Sequence, residues 1–213
     1  MLAADVKPAC EEAQQAAVKI VITRGSSGRG YRYRGDEKPT RIVIADTQAE
    51  AADSARAEGV RVRLCSTRLA HQPALAGVKH LNRLENVLAR AEWNDPDIAE
   101  GLMCDADGNI IAGTMTNVFM LANGVLATPR LDLCGVAGVT RERVLEAATR
   151  LDLPCAVMTC TLKDVLRAEE VFVVNSLVGI WPVRELDGER REPGRVTRML
   201  QATLAEEDDA QVG

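Results

Sequence analysis

Gly77-Val78-Lys79-His80-Leu81-Asn82-Arg83-Leu84-Glu85 is the stretch on which the reading of this chain turns. It sets a lysine at the start of an amphipathic run, in a chain otherwise poor in side chains that do chemistry. A lysine held against Val78 and Leu81 loses solvation, its ammonium form is disfavoured, and the neutral amine becomes a nucleophile toward an aldehyde. A lysine near a helix start is ordinarily a solvated charge, so the motif gains weight only from its surroundings. Leu81, Leu84, Val87 and Leu88 recur at near-helical spacing and predict the apolar stripe of a helix that begins near Lys79.

Working outward, the whole chain has 213 residues, 46% hydrophobic and 27% charged, which suits one large domain or two small ones with a real core. Its 26 Lys and Arg against 31 Asp and Glu leave no basic field for nucleic acid, and 3% aromatics leave few stacking platforms. Six cysteines form no C-x-x-C pair and only His71 and His80 accompany them, which argues against a metal site and for free thiols in a reducing cytoplasm. The N-terminus lacks an apolar signal region and no window approaches a membrane span, so no membrane partner is expected.

Upstream, a helix is predicted around Ala9–Ala17, then strands at Val18–Thr23, Arg41–Ala45 and Val60–Leu64, with a helix over Glu50–Glu58. Pro73 and the lack of a sustained period mark 70–76 as an interdomain connector, dividing the chain into 1–69 and 77–213. Downstream, strands are predicted over Ile98–Cys104, Ile110–Leu121 and Val125–Thr128, a helix over Thr140–Leu151, and a closing helix over Gly194–Glu206 whose acidic tail should fray. The class is α+β.

Three further places suggest contacts with an anion. Gly135-Val136-Ala137-Gly138-Val139-Thr140 delivers backbone N–H groups at a helix start, where the dipole favours a phosphate, although such a turn is more often purely structural. Asn175 and Ser176 follow an apolar strand, where short polar side chains usually make a turn. Arg29, between glycines and two residues before Tyr31, has the planar fork that recognises a carboxylate, against the default of a solvated loop arginine.

In this order and spacing the pieces resemble the fold-type IV pyridoxal phosphate enzymes, which include branched-chain and D-amino acid aminotransferases and aminodeoxychorismate lyases. Lys79–Glu85 and Gly28-Arg29-Gly30-Tyr31 look most like the lyases, which release pyruvate from 4-amino-4-deoxychorismate and make p-aminobenzoate for folate synthesis. The resemblance implies a partial small N-terminal α/β domain over 1–69 and a larger C-terminal α+β domain over 77–213 that binds pyridoxal 5'-phosphate, in a homodimer. Met1 then falls inside the small domain, whose opening strands have no counterpart. Lys79 would bind the cofactor's aldehyde and move the proton; Val139, Thr140, Asn175 and Ser176 would hold its phosphate. Val136 would pack on the pyridine face, Asn117 matches a family asparagine, and Arg29 with Tyr31 would hold the substrate carboxylate, reaching across a dimer interface. Ala112 stands where the family has a glutamate that pairs with the pyridine nitrogen, which implies a weaker electron sink. The alternatives left open are an aminotransferase of the same fold, a catalytically impaired fragment acting only in dimerisation, and a plain α+β binding protein.

Overall fold

β-branched runs pair first with one another. β1 (Ala17–Ile22) lies antiparallel to β2 (Arg41–Asp46), with Ala17 opposite Asp46 and Ile22 opposite Arg41. This computed structural model describes residues 2–10, 16–46 and 53–212, and the chain forms two compact units, 1–51 and 52–213. In the first unit α1 (Leu2–Ala9) carries Pro8 in its last turn and stops there, so the predicted helix over Ala9–Ala17 gives way to β1, which Ala17 already opens. Residues 11–15 lie outside the described residues, as do 50–52 of the second predicted helix, whose described part is α2 (Asp53–Glu58).

The second unit is built on a mixed sheet. Its strands are β3 (Val60–Leu69), β4 (Ile98–Asp105), β5 (Asn109–Gly113), β6 (Asn117–Ala122), β7 (Val125–Pro129), β8 (Cys155–Met158), β9 (Cys160–Thr161), β10 (Glu170–Asn175), β11 (Gly179–Leu186) and β12 (Glu189–Arg190). They run in the order β8-β7-β6-β10-β11-β3-β4-β5-β9, with β12 beside β11. The unit boundary falls ahead of β3 rather than in 70–76, because β3 pairs in parallel with both β11 and β4 in the middle of this sheet. Helices α2, α3 (Leu84–Arg90), α4 (Val139–Arg150), α5 (Leu162–Arg167) and α6 (Arg195–Val212) belong to it as well.

Alternation along the strands explains the core. Phe119, Leu121, Phe172 and Val174 face Val144, Ala147 and Ala148 of α4 and Leu200 and Leu204 of α6, and the Phe119 and Phe172 rings stack at 5.1 Å. Residues of opposite parity, among them Val118, Met120, Val171 and Val173, join Val62, Leu102, Ile110 and Val183 in a second cluster.

Three local expectations change. Ile110–Leu121 is broken into β5 and β6 at Thr114–Thr116, where the buried carboxylate of Glu100 draws the backbone out of the ladder. The helix predicted to begin near Lys79 starts only at Leu84, leaving Leu81 in the loop before it, and Leu81, Leu84, Val87 and Leu88 are 67%, 64%, 61% and 54% exposed, so α3 turns its apolar face outward rather than into the core. The acidic tail does not fray: Arg143 and Arg150 of α4 pair with Glu207, and Arg143 lies 2.8 Å from Asp208, so α6 continues to Val212.

Candidate active site

Main-chain stitching brings the lysine segment to the α4 turn. Gly77 N–H donates to Gly135 O at 3.1 Å and Ala137 N–H to Gly77 O at 3.0 Å, so Gly77 and Val136 form a parallel bridge. Gly135 makes the turn with φ +90°, a backbone that side chains resist, and a methyl there would strike Leu131 and Ile111. Asn117 Nδ2 donates to Val136 O at 2.8 Å, and Gly138 has no room for a side chain against Asn117 Oδ1. Two residues past Gly77, Lys79 is thereby set beside the start of α4.

The cleft so formed holds about 290 Å³ and is lined by Lys79, Arg83, Asn86, Ala112–Asn117, Gly135–Gly138, Thr140, Asn175 and Ser176, with Leu69, Gly77 and Val174. Of the residues singled out from sequence, Lys79, Val136, Thr140, Asn175 and Ser176 share this cleft. Val139 does not line it; as first residue of α4 its side chain is 74% exposed, leaving only its N–H near the turn. Arg29 and Tyr31 belong to the first unit, on an exposed loop.

α4 begins without a side-chain cap, and the first of its N–H groups to reach a backbone acceptor is that of Glu142, to Gly138 O at 3.2 Å. Unpaired donors at a helix start beside a cleft are what a phosphate needs. Asn175 is mostly committed to a turn: its Oδ1 accepts from Leu177 and Val178 N–H, each at 2.9 Å, and its Nδ2 donates to Met115 O at 3.3 Å. Ser176 stays exposed beside it. The donor set therefore fits the phosphate of pyridoxal phosphate, and Lys79 is the amine-bearing side chain lining the same cleft. The dryness predicted for that amine is absent: Lys79 is exposed, and its apolar neighbours Val78 and Leu81 are 51% and 67% exposed.

Sequence reading passed over the residues that shape this place. Arg83 Nη2 donates to Val78 O at 2.6 Å and its Nε to His80 O at 3.2 Å, gripping the chain on both sides of Lys79. Burial pulls the Arg83 guanidinium below its usual value, and burial together with the Arg83 charge does the same to His80. Asn86 Nδ2 donates to Thr114 O at 2.8 Å and ties α3 to the β5–β6 break. Glu100, fully buried, accepts from Gly101 N–H, Thr114 N–H, Thr114 Oγ1, Met115 N–H and Thr116 Oγ1, at 2.6 to 3.1 Å. The signal was a single carboxylate inside the apolar strand Ile98-Ala99-Glu100-Gly101-Leu102-Met103-Cys104.

Elsewhere on this unit a larger groove of about 980 Å³ carries charges of both signs, with Arg61 paired to Glu185 at 2.9 Å, and its lining includes no lysine. His71 meets Asp105 at 3.2 Å, but Asp105 spends its oxygens on Asp107 and Asn109 in the β4–β5 turn.

A profile of the amino-transferase class IV family matches residues 2–186. The chain belongs to that family. Its members are pyridoxal phosphate-dependent, and the α+β architecture of this chain is their fold type IV. An aminodeoxychorismate lyase of Vibrio harveyi is 39% identical over 196 residues, covering 90% of this chain and 72% of that protein. A solved 4-amino-4-deoxychorismate lyase of Pseudomonas aeruginosa superposes with a TM-score of 0.86 at 43% identity, over 89% of this chain and 70% of that one. A branched-chain-amino-acid aminotransferase of Pseudomonas aeruginosa is 28% identical over 88% of this chain and 62% of that protein. The chain thus spans about two-thirds of the length of these relatives.

Proposed function

We propose that this class IV chain is an aminodeoxychorismate lyase, releasing pyruvate from 4-amino-4-deoxychorismate with pyridoxal phosphate held at Lys79. The observation that carries the reading is the bridge between Gly77 and Val136, which sets Lys79 beside the uncapped start of α4. The likeness to the Vibrio and Pseudomonas lyases, at 39% and 43% identity, favours lyase over aminotransferase.

In this reading the N–H groups of Val139 and Thr140 and the hydroxyl of Ser176 hold the phosphate, and Val136 packs on the ring. Asn175 acts through the turn it builds. When bound, the cofactor would draw electrons from the substrate's amine-bearing carbon and so acidify its C–H bond. Lys79 Nζ takes that proton as general base; the enolpyruvyl group then leaves the neighbouring carbon as enolpyruvate, whose methylene carbon takes up a proton to give pyruvate, and the substrate ring becomes aromatic. Arg29 and Tyr31 hold a substrate carboxylate, Arg29 through its planar fork. The working form is a homodimer in the cytoplasm, and the apolar face that α3 exposes supports the dimer.

Pyruvate release from aminodeoxychorismate without any added keto acid tests the proposal. Strict dependence on a keto-acid acceptor would instead favour the aminotransferase reading. Lys79→Ala should abolish turnover, and borohydride reduction of the loaded protein should place the pyridoxyl label on Lys79; a label elsewhere would displace the proposed centre.

A further inference from the structure

We propose that this cleft holds the pyridine ring of its cofactor with the ring nitrogen unprotonated, an inference that rests on the cofactor reading above. Among the described residues lining the cleft there is no aspartate or glutamate, while the Arg83 guanidinium is a cation. Wherever the ring lies in this space, its nitrogen meets a lining that disfavours a second positive charge. A pyridinium forms when a nearby carboxylate stabilises it, and neighbouring cations act in the opposite sense.

The carboxylates around the cleft are already engaged. Glu100 lies behind the wall, fully buried, with its oxygens taken by Gly101, Thr114, Met115 and Thr116. Glu85, on the same helix as Asn86, accepts from Ala70 N–H at 3.1 Å. At Ala112, 7% exposed on strand β5, the cleft presents a methyl group. The surface offered to the ring's polar atom is thus apolar or hydrogen-bonding but never anionic. Such a site tolerates a ring that carries no basic nitrogen at all.

Two measurements that do not use turnover test this. First, 15N-labelled pyridoxal phosphate bound to the wild-type chain should show its ring-nitrogen resonance at the pyridine position; a pyridinium position overturns the proposal. Second, 1-deaza-pyridoxal phosphate, with C–H in place of the ring nitrogen, should bind wild type within about threefold of pyridoxal phosphate, whereas Ala112→Glu should prefer the natural cofactor by about tenfold, one unit of differential protonation. A wild-type preference of about tenfold or more against the deaza compound would refute the inference while leaving cofactor binding at Lys79 intact. Failure of the wild type to bind either compound would remove both readings. If Ala112→Glu does not fold, the wild-type resonance and the wild-type affinity ratio still decide.

Discussion

Arg83 is the side chain through which Lys79 is placed. Its two donors reach Val78 O and His80 O, so the peptides flanking the lysine are tied to one planar group. Loss of such charge-assisted bonds costs about 1–3 kcal/mol, and a shift of the lysine by about 1 Å can slow chemistry by about a hundredfold. Arg83→Ala should therefore slow formation of the visible cofactor complex by at least about tenfold in stopped-flow absorbance, with a smaller effect on thermal stability. Arg83→Lys should not restore it, because an ammonium cannot span both carbonyls. Unchanged complex formation in both variants would show that the loop holds its shape without the clamp. Lys79 stands out from the chemistry of its residue type, but the Arg83 clamp is a five-residue return within an irregular loop and has no periodic signature.

At the scale of elements, the break between β5 and β6 depends on one strand's carboxylate serving another segment's donors. Glu100→Ala would leave the buried Thr116 hydroxyl without its acceptor at about 1–3 kcal/mol, while the donors of half-buried Thr114 and exposed Met115 can turn to water and cost less, so urea denaturation should show a loss of about 2–4 kcal/mol. A loss below about 0.5 kcal/mol would mean that the loop re-forms around other acceptors. The start of α6 uses the same device, with Glu170 accepting from Val196 N–H at 3.0 Å and from Thr197 N–H and Oγ1 at 2.7 Å. α3 presents the opposite case: its apolar stripe is visible from spacing, yet the helix starts only at Leu84 and its apolar side faces solvent. If that side meets a second copy, Leu84→Glu with Val87→Lys should raise the dimer dissociation constant by about a hundredfold in sedimentation equilibrium, from the burial lost. No change in association state would exclude α3 from the contact.

For the molecule as a whole, stability should fall in acid through carboxylates that donors hold ionised. Burial alone would raise the carboxyl of Glu92, but Thr67 and Ser66 donors overcome it and bring it from 4.5 to about 2. Its folded value lies below its unfolded value, so its contribution is present above about pH 4.5 and is lost as pH falls toward about 2. Glu92 joins the end of α3 to β3 through Ser66 N–H at 2.8 Å and Thr67 N–H at 2.7 Å, so the loss loosens the sheet behind the cleft. Urea midpoints between about pH 5 and about pH 3 should drop in wild type and drop less in Glu92→Gln. Equal slopes would assign the acid sensitivity to other groups. The buried thiols act differently: burial pushes Cys65 up to about 12 and Cys160 up to about 11, which keeps both protonated and unreactive at neutral pH.

Sequence by itself determined the class of the chain, the family likeness, most strands, α4, the closing helix, and the lysine with its glycine turn. These follow from periodicity, β-branched runs and residue chemistry, which act over a few neighbours along the chain. Tertiary structure decided that Lys79 is exposed, that β3 is an inner strand of the second unit, that Asn175 is spent on a turn, that α3 faces outward, and that the acidic tail stays helical against Arg143 and Arg150. The physical reason is distance along the chain. Solvation of an amine and capture of a donor by a carboxylate depend on groups that only folding brings within hydrogen-bond reach, as Glu100 and Thr116 are at 2.8 Å.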